Sequence, residues 1–283
     1  MLRSTALIDA APRSVAGLLR DVGLSTAALG RDGHRIAAAR PLLAPGDGVA
    51  LRVRLPLGVR VPLRMVVGTV SAQTLTATLL AGPPEQLRHV VTLTPTPAGT
   101  LVLDELSWTS PGGLLGRVLD VAVLRRLVLR AQAARLELLA ERATALADAP
   151  VVVATALHRG GRVLIAQRTR PAELAGRWEL PGGRVEPGES EPDAVDRECR
   201  EELGIPVRVG DRIGTDLPIA AGVLRVYLAE PAADAPDPQP LEHAALRWVG
   251  PDELDDVDWV DADRAVVEDL AGLLTGPHVQ PQT

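Results

Sequence analysis

The chain has 283 residues, 46% hydrophobic and 23% charged, which is long for one domain and comfortable for two, and excludes a disordered polymer. Its formal net charge of −6 argues against a general nucleic-acid-binding surface, since phosphate backbones recruit basic patches, and all 30 basic residues are arginines. One cysteine excludes an internal disulfide and suits a reducing cytoplasm, no run reaches the ~20 apolar residues of a membrane span, and without phenylalanine the core must be aliphatic.

From the N-terminus, residues 2–9 read as a strand and 12–29 as a helical stretch. A glycine- and proline-punctuated passage leads to Gly48. Five segments then alternate in the β manner, 49–55, 61–70, 75–80, 87–94 and 100–108, separated by turn-like Gly and Pro clusters. Residues 114–147 form a long helix whose apolar positions nearly encircle its first half and narrow to one stripe later, so its first part is expected to pack on the sheet. This order of strand, helix, antiparallel strands and long final helix is similar to the helix-grip fold of START-like or polyketide-cyclase-like (SRPBCC) domains. The resemblance implies an apolar cavity and a hydrophobic small molecule as a partner. No convergent catalytic group stands out here, and the isolated His34 and His89 read as structural or surface residues. Ala147-Asp148-Ala149-Pro150 breaks the pattern, giving domains at 1–147 and 151–275 and a disordered tail at 276–283.

Beyond the break, 151–157 and 163–167 read as strands around a Gly160-Gly161 turn, with Arg168 just after the second. Trp178-Glu179-Leu180-Pro181-Gly182-Gly183 leads into a helix of about a dozen residues. Ser190 stands at its N-cap, Pro192 suits its first turn, and Gly204 sits where a helix ends on a left-handed residue. Glu198, Glu201 and Glu202 are spaced i, i+3 and i+4, which crowds three carboxylates on one face. Unpaired, they would repel one another. Hard cations such as Mg²⁺ take oxygen ligands and bridge to phosphates, so this face is a candidate seat for a metal-bound triphosphate. Arg197 and Glu189 can pair and hold the preceding loop against the helix. An acidic run by itself is usually only a solvated face.

Here the residues follow the order G-x5-E-x7-R-E-U-x-E-E-x-G-U, U being bulky and apolar, with Gly183, Glu189, Arg197, Glu198, Glu201, Glu202 and Gly204 in the fixed positions and Cys199 and Ile205 in the apolar slots. This resembles the signature of the Nudix hydrolase family, and the surrounding LIAQRTRPAELAGRWELPGGRVEPGE is close to its MutT-type branch. The resemblance implies an α/β/α sandwich with a mixed sheet, making the whole chain a two-domain α+β protein. It also implies a Mg²⁺- or Mn²⁺-dependent hydrolase of a nucleoside triphosphate that releases the monophosphate and pyrophosphate. Glu198, Glu201 and Glu202 would hold the metal, joined by Glu242, which stands six residues before Trp248. The catalytic set implied is Glu201 and Glu202 with Arg197 and Glu189. Arg168 would touch the substrate phosphates, and Trp178, Glu179, Leu180, Gly182, Gly183 and Asp263 are candidates for the rest of the substrate site.

After the helix, 207–209, 213–215 and 223–230 read as strands, 231–240 as a proline-rich surface loop, and the remainder as a strand, a turn and a final helix. His243 is a candidate base, although a loop histidine beside a carboxylate is more often simply hydrogen-bonded. Asp263 lies in an acidic run, at about the place where enzymes that select oxidised guanine use an asparagine, and this chain has no asparagine. An ionised Asp can only accept hydrogen bonds, which favours the exocyclic amine of cytosine or guanine over a carbonyl. Three readings compete: sanitation of oxidised purine nucleotides such as 8-oxo-dGTP, hydrolysis of CTP, dCTP or modified cytosine nucleotides, and a ligand-binding protein whose Nudix part regulates without turnover. Sugar nucleotides and ADP-ribose stay open, because the signature reports diphosphate chemistry and not the attached group. Neither a nucleic-acid polymer nor a membrane span is expected.

Overall fold

The computed structural model describes residues 1–110 and 123–276, and the chain divides into two compact units, Met1–Asp148 and Ala149–Thr283. Both are α+β, and each is built on its own seven-stranded sheet.

The first unit runs β1 (Leu2–Ile8), α1 (Pro12–Arg20), α2 (Val22–Gly30), β2 (Arg35–Ala38), β3 (Gly48–Arg54), β4 (Arg60–Val70), β5 (Thr74–Ala81), β6 (Gln86–Thr96), β7 (Gly99–Thr109) and α3 (Arg125–Ala147). Every pairing in its sheet is antiparallel, in the order β1-β7-β6-β5-β4-β3-β2. The single helix expected over 12–29 is two helices. Asp21 takes an extended backbone, and its carboxylate accepts from the amides of Gly23 at 2.7 Å and Leu24 at 3.2 Å, so it caps α2 instead of continuing α1. Strand β2 lies in the passage read as irregular. Its four residues are too few for periodicity to register against the neighbouring Gly and Pro. Of the expected long helix, 114–122 lies outside the described residues, as does 277–283 of the expected tail.

Helix α3 buries Leu136, Leu139, Ala143 and Leu146 along one stripe. Gln132, the first buried residue of the helix, donates to the Asp104 backbone carbonyl at 3.0 Å and to Asp104 Oδ1 at 2.9 Å, which ties the helix to β7. His89 Nε2 lies 2.8 Å from Asp104 Oδ1, and Arg135 Nη1 lies 3.4 Å from Oδ2. Burial by itself would raise the Asp104 pKa, but His89, Arg135 and Gln132 outweigh it and hold the carboxyl far below the usual range. His34 is equally engaged, its Nδ1 accepting from the Arg54 amide at 2.9 Å. Between the sheet and α3 lies a cavity of about 400 Å³, walled largely by Leu and Val side chains and bordered on one side by His89, Asp104, Gln132 and Arg135.

The second unit runs β8 (Val151–Arg159), β9 (Arg162–Gln167), β10 (Trp178–Glu179), β11 (Gly182–Arg184), α4 (Glu191–Leu203), β12 (Val207–Ile219), β13 (Gly222–Pro231), β14 (Ala245–Val249), α5 (Asp261–Arg264) and α6 (Val267–Thr275). Its sheet is mixed: β8 pairs parallel with β13 and antiparallel with β11. Buried on both sides, β8 is correspondingly apolar. The two strands expected at 207–209 and 213–215 are one strand with irregular register, and Gly214, at φ 63°, supplies the left-handed residue at the second irregularity. Helix α4 buries Ala194, Val195, Cys199 and Leu203, and Cys199 and Leu203 pack with Leu157, Leu164, Ile205 and Ala229. That apolar face fixes which way the opposite, acidic face points. Among the described residues no helix is long and apolar enough to cross a membrane.

Asp104→Asn leaves Arg135 without its buried counter-charge and should cost about 3 kcal/mol in urea denaturation. Because the Asp104 pKa is depressed in the folded state, its contribution is complete above the unfolded value near 4 and declines as pH falls below it. The wild type should therefore lose stability more steeply than the variant on acidification below about pH 4.

Candidate active site

Helix α4 begins and ends as its sequence dictates. Ser190 Oγ accepts from the Asp193 amide at 3.3 Å, and Gly204 closes the helix at φ 72°. Arg197, on its exposed face, gathers the surrounding acids. Its Nε donates to Glu189 Oε1 at 2.9 Å and its Nη2 to Glu189 Oε2 at 3.1 Å, a two-pronged contact. Nη1 donates to Glu198 Oε1 at 2.8 Å and Glu201 Oε2 at 3.0 Å, and Nη2 also reaches the Arg184 carbonyl at 2.9 Å. One guanidinium therefore holds the 184–190 loop on the helix and partly neutralises three carboxylates.

The glycine pair lies directly against this acidic face. A Cβ at Gly183 would overlap the Glu198 carboxylate, and a Cβ at Gly182, whose φ is 155°, would overlap the Val153 carbonyl. The Gly182 amide donates to Glu202 Oε2 at 2.9 Å. Burial pushes the Glu202 pKa up to about 7 and raises that of Glu198. Among the described residues no group of three or more His, Cys, Asp or Glu side chains stands converged as a metal cage. The reason is visible in the contacts: Nη1 of Arg197 draws Glu198 and Glu201 toward itself, while Glu202 turns to the Gly182 amide. The donor set still fits a hard divalent cation, being oxygen only, on one helix face, with two carboxylates whose burial calls for more positive charge.

The other predicted residues divide into two groups. Arg168 ion-pairs with Glu179 and donates through Nε to the Arg170 carbonyl at 3.0 Å. Glu179 Oε1 lies 3.2 Å from His243 Nε2, forming a chain Arg168–Glu179–His243. Burial opposes charging of His243, but the Glu179 and Glu202 carboxylates more than offset it and raise its pKa. Asp263 is buried, and the Leu180 amide reaches its Oδ1 at 3.4 Å. Trp178 bridges to Trp259, and the Arg247 guanidinium lies 5.7 Å from the centroid of the Trp178 ring. Glu242 is exposed, and among the described residues its carboxylate has no hydrogen bond or ion pair.

Two features were not read from sequence. His243 is locked to Glu179, 64 positions away, which adjacency to Glu242 could not reveal. Asp263 is not the ionised acceptor that the sequence suggests. Burial, then the nearby Glu179 charge, push its pKa up to about 8, so at neutral pH it is mainly protonated and can donate a hydrogen bond.

Residues 148–270 match the NUDIX domain family. Over 130 residues the chain is 51% identical to "Putative 8-oxo-dGTP diphosphatase 2" of Mycobacterium tuberculosis, covering 44% of this chain and 91% of that protein. Over 106 residues it is 42% identical to "CTP pyrophosphohydrolase" of Escherichia coli, covering 36% of this chain and 76% of that protein. Among solved structures, that of the E. coli ORF135 protein aligns at 34% identity with a TM-score of 0.39, covering 44% of this chain and 91% of that one.

A buried carboxyl with a raised pKa holds a proton in the folded state that the unfolded chain releases near pH 4, so stability falls as pH rises from about 4 to 8. Asp263→Asn cannot lose that proton. Its melting temperature should change less than the wild type's between about pH 5 and 8, and thermal melts that run parallel across this window would contradict the protonated state.

Proposed function

The chain belongs to the Nudix family and is a hydrolase acting on phosphoanhydride bonds, and from that premise we propose a Mg²⁺- or Mn²⁺-dependent nucleoside triphosphate pyrophosphohydrolase of the MutT type. The observation that carries this reading is the acidic face of α4, with Glu198 and Glu202 set against the Gly182-Gly183 backbone, Glu201 held by Arg197, and Arg197 clamped by Glu189. Glu198, Glu201 and Glu202 would hold the cation, with Glu242 reaching in from its loop. When bound, the metal neutralises phosphate oxygens and acidifies a water. Glu201 or Glu202 orients the attacking water and accepts its proton, while Glu189 and Arg197 act as positioning residues that keep the loop on the helix. Arg168 takes phosphate charge through its guanidinium fork. Water adds to phosphorus, the anhydride bond breaks, and the monophosphate and pyrophosphate leave.

For the base we favour an oxidised purine, as in 8-oxo-dGTP, with Trp178, Glu179, Leu180 and Asp263 around it. A protonated Asp263 offers one donor beside an acceptor. Aimed at the N7 edge, it matches 8-oxoguanine, where N7–H stands beside a carbonyl, and mismatches guanine, where N7 carries a lone pair. Cytosine, with N3 beside its amine, presents a similar pair. This keeps CTP, dCTP and modified cytosine nucleotides as the second reading, which the similarity to the E. coli protein also favours. In the first unit, the cavity between sheet and helix supports a helix-grip domain that takes up a hydrophobic small molecule.

Pyrophosphate release with Mg²⁺ should be fastest for 8-oxo-dGTP in a panel with dGTP, dCTP, 5-methyl-dCTP, CTP and ADP-ribose. Glu202→Gln should lower kcat at least ~10²-fold without lowering the melting temperature. A preference for cytosine nucleotides would select the second reading, and no release from any substrate would turn the second unit into a regulatory module without turnover.

A further inference from the structure

The net charge of −6 conceals a division between the units. Residues 1–148 carry 17 arginines against 11 acidic residues, whereas the remainder carries 13 against 25. The excess in the first unit is concentrated on its sheet. Strands β2 to β6 contain six arginines, Arg35, Arg52, Arg54, Arg60, Arg64 and Arg88, and not one Asp or Glu. All six are exposed, and none of their guanidinium groups has a hydrogen bond or ion pair among the described residues. Strand register brings several together: Arg35 is opposite Arg52, and Arg54 is opposite Arg60. Like charges facing one another across a sheet are destabilising, so the arrangement costs the folded state in the absence of a partner.

The same end of the sheet carries exposed aliphatic side chains. Leu57, fully exposed, and Val59 sit in the turn between Arg54 and Arg60, and Leu80 is exposed one residue before Ala81, the partner of Arg64. Leu57 has a φ of 61°, the left-handed region that a leucine enters only at a cost. Packing does not explain it there, since the side chain touches water on every side. Leu55 and Val61, on either side of this turn, line the cavity.

We propose that this face docks the protein on an anionic lipid bilayer, with the arginines against the headgroups and Leu57, Val59 and Leu80 in the interface. Acidic phospholipids supply the missing counter-charge, and exposed aliphatics beside a basic surface are what an interfacial contact requires. A polynucleotide fits the face less well. Single strands bind by stacking on aromatic rings, and strands β2 to β6 contain no Phe, Tyr or Trp. The neighbouring acids, Asp32, Asp47 and Glu85, are confined to the turns.

The test is co-sedimentation of the full chain with vesicles of phosphatidylcholine alone or with ~30% phosphatidylglycerol. Binding is expected only to the anionic vesicles at about 0.1 M NaCl, and should be lost near 0.5 M. Each arginine at such a surface strengthens binding roughly fivefold, so Arg52→Glu with Arg54→Glu should weaken it by about 25-fold or more. Arg35→Glu with Arg88→Glu serves as a second pair should the first not fold. Leu57→Asn suits the left-handed backbone, so it should preserve the melting temperature and pyrophosphate release while weakening vesicle binding several-fold. Equal binding to neutral and anionic vesicles, or none to either, would overturn the proposal. So would tighter binding to a single-stranded oligonucleotide that Leu57→Asn leaves unchanged, which would assign the face to a polynucleotide.

Discussion

The second unit depends most on a single guanidinium. Two carboxylates ~5 Å apart repel by about 3 kcal/mol at an effective dielectric constant of ~20, so a helix carrying three on one face needs a cation beside it. Arg197 meets part of that need by contacting Glu189, Glu198 and Glu201, and through Glu189 and the Arg184 carbonyl it fastens the preceding loop. It does not reach Glu202, which is the most buried of the three and rests on the Gly182 amide. Under the proposed function, the charge left over is what would suit the face to a second cation.

That clamp works only because the backbone can come close. Gly182 lets β11 pair with β8 without striking the Val153 carbonyl, and Gly183 leaves the space that the Glu198 carboxylate fills. On the other face of α4, Cys199 and Leu203 seat the helix among Leu157, Leu164 and Ile205. A small thiol fits there, and burial pushes its pKa up to about 12, so it behaves as an apolar side chain.

Elements with strong local grammar were readable in the sequence. The cap at Ser190, the stop at Gly204, the Gly160-Gly161 hairpin and the alternating strands of the first sheet are all encoded within a few residues of where they occur. The break at Asp21 was missed because a capping aspartate and a helical aspartate look alike until the side chain's partners are known. The same limit applied at the candidate site. The spacing of Glu198, Glu201 and Glu202 fixes a common face, but the Arg168–Glu179–His243 chain joins residues from three separate segments. The protonation of Asp263 follows from burial that only tertiary packing creates.

The charge division bears on how a polyphosphate could enter. The second unit is strongly acidic, and Arg168, the candidate cation for phosphates, is already held by Glu179. A phosphate taking that guanidinium would leave Glu179 dependent on its other partner. That partner is His243, whose Nε2 already lies 3.2 Å from Glu179 Oε1 and whose pKa is raised by Glu179 and Glu202 against the opposing effect of burial. With His243 kept on Glu179, Arg168 could turn to a substrate without leaving that carboxylate unpaired, so under the proposed function His243 would bear on phosphate recognition through Glu179.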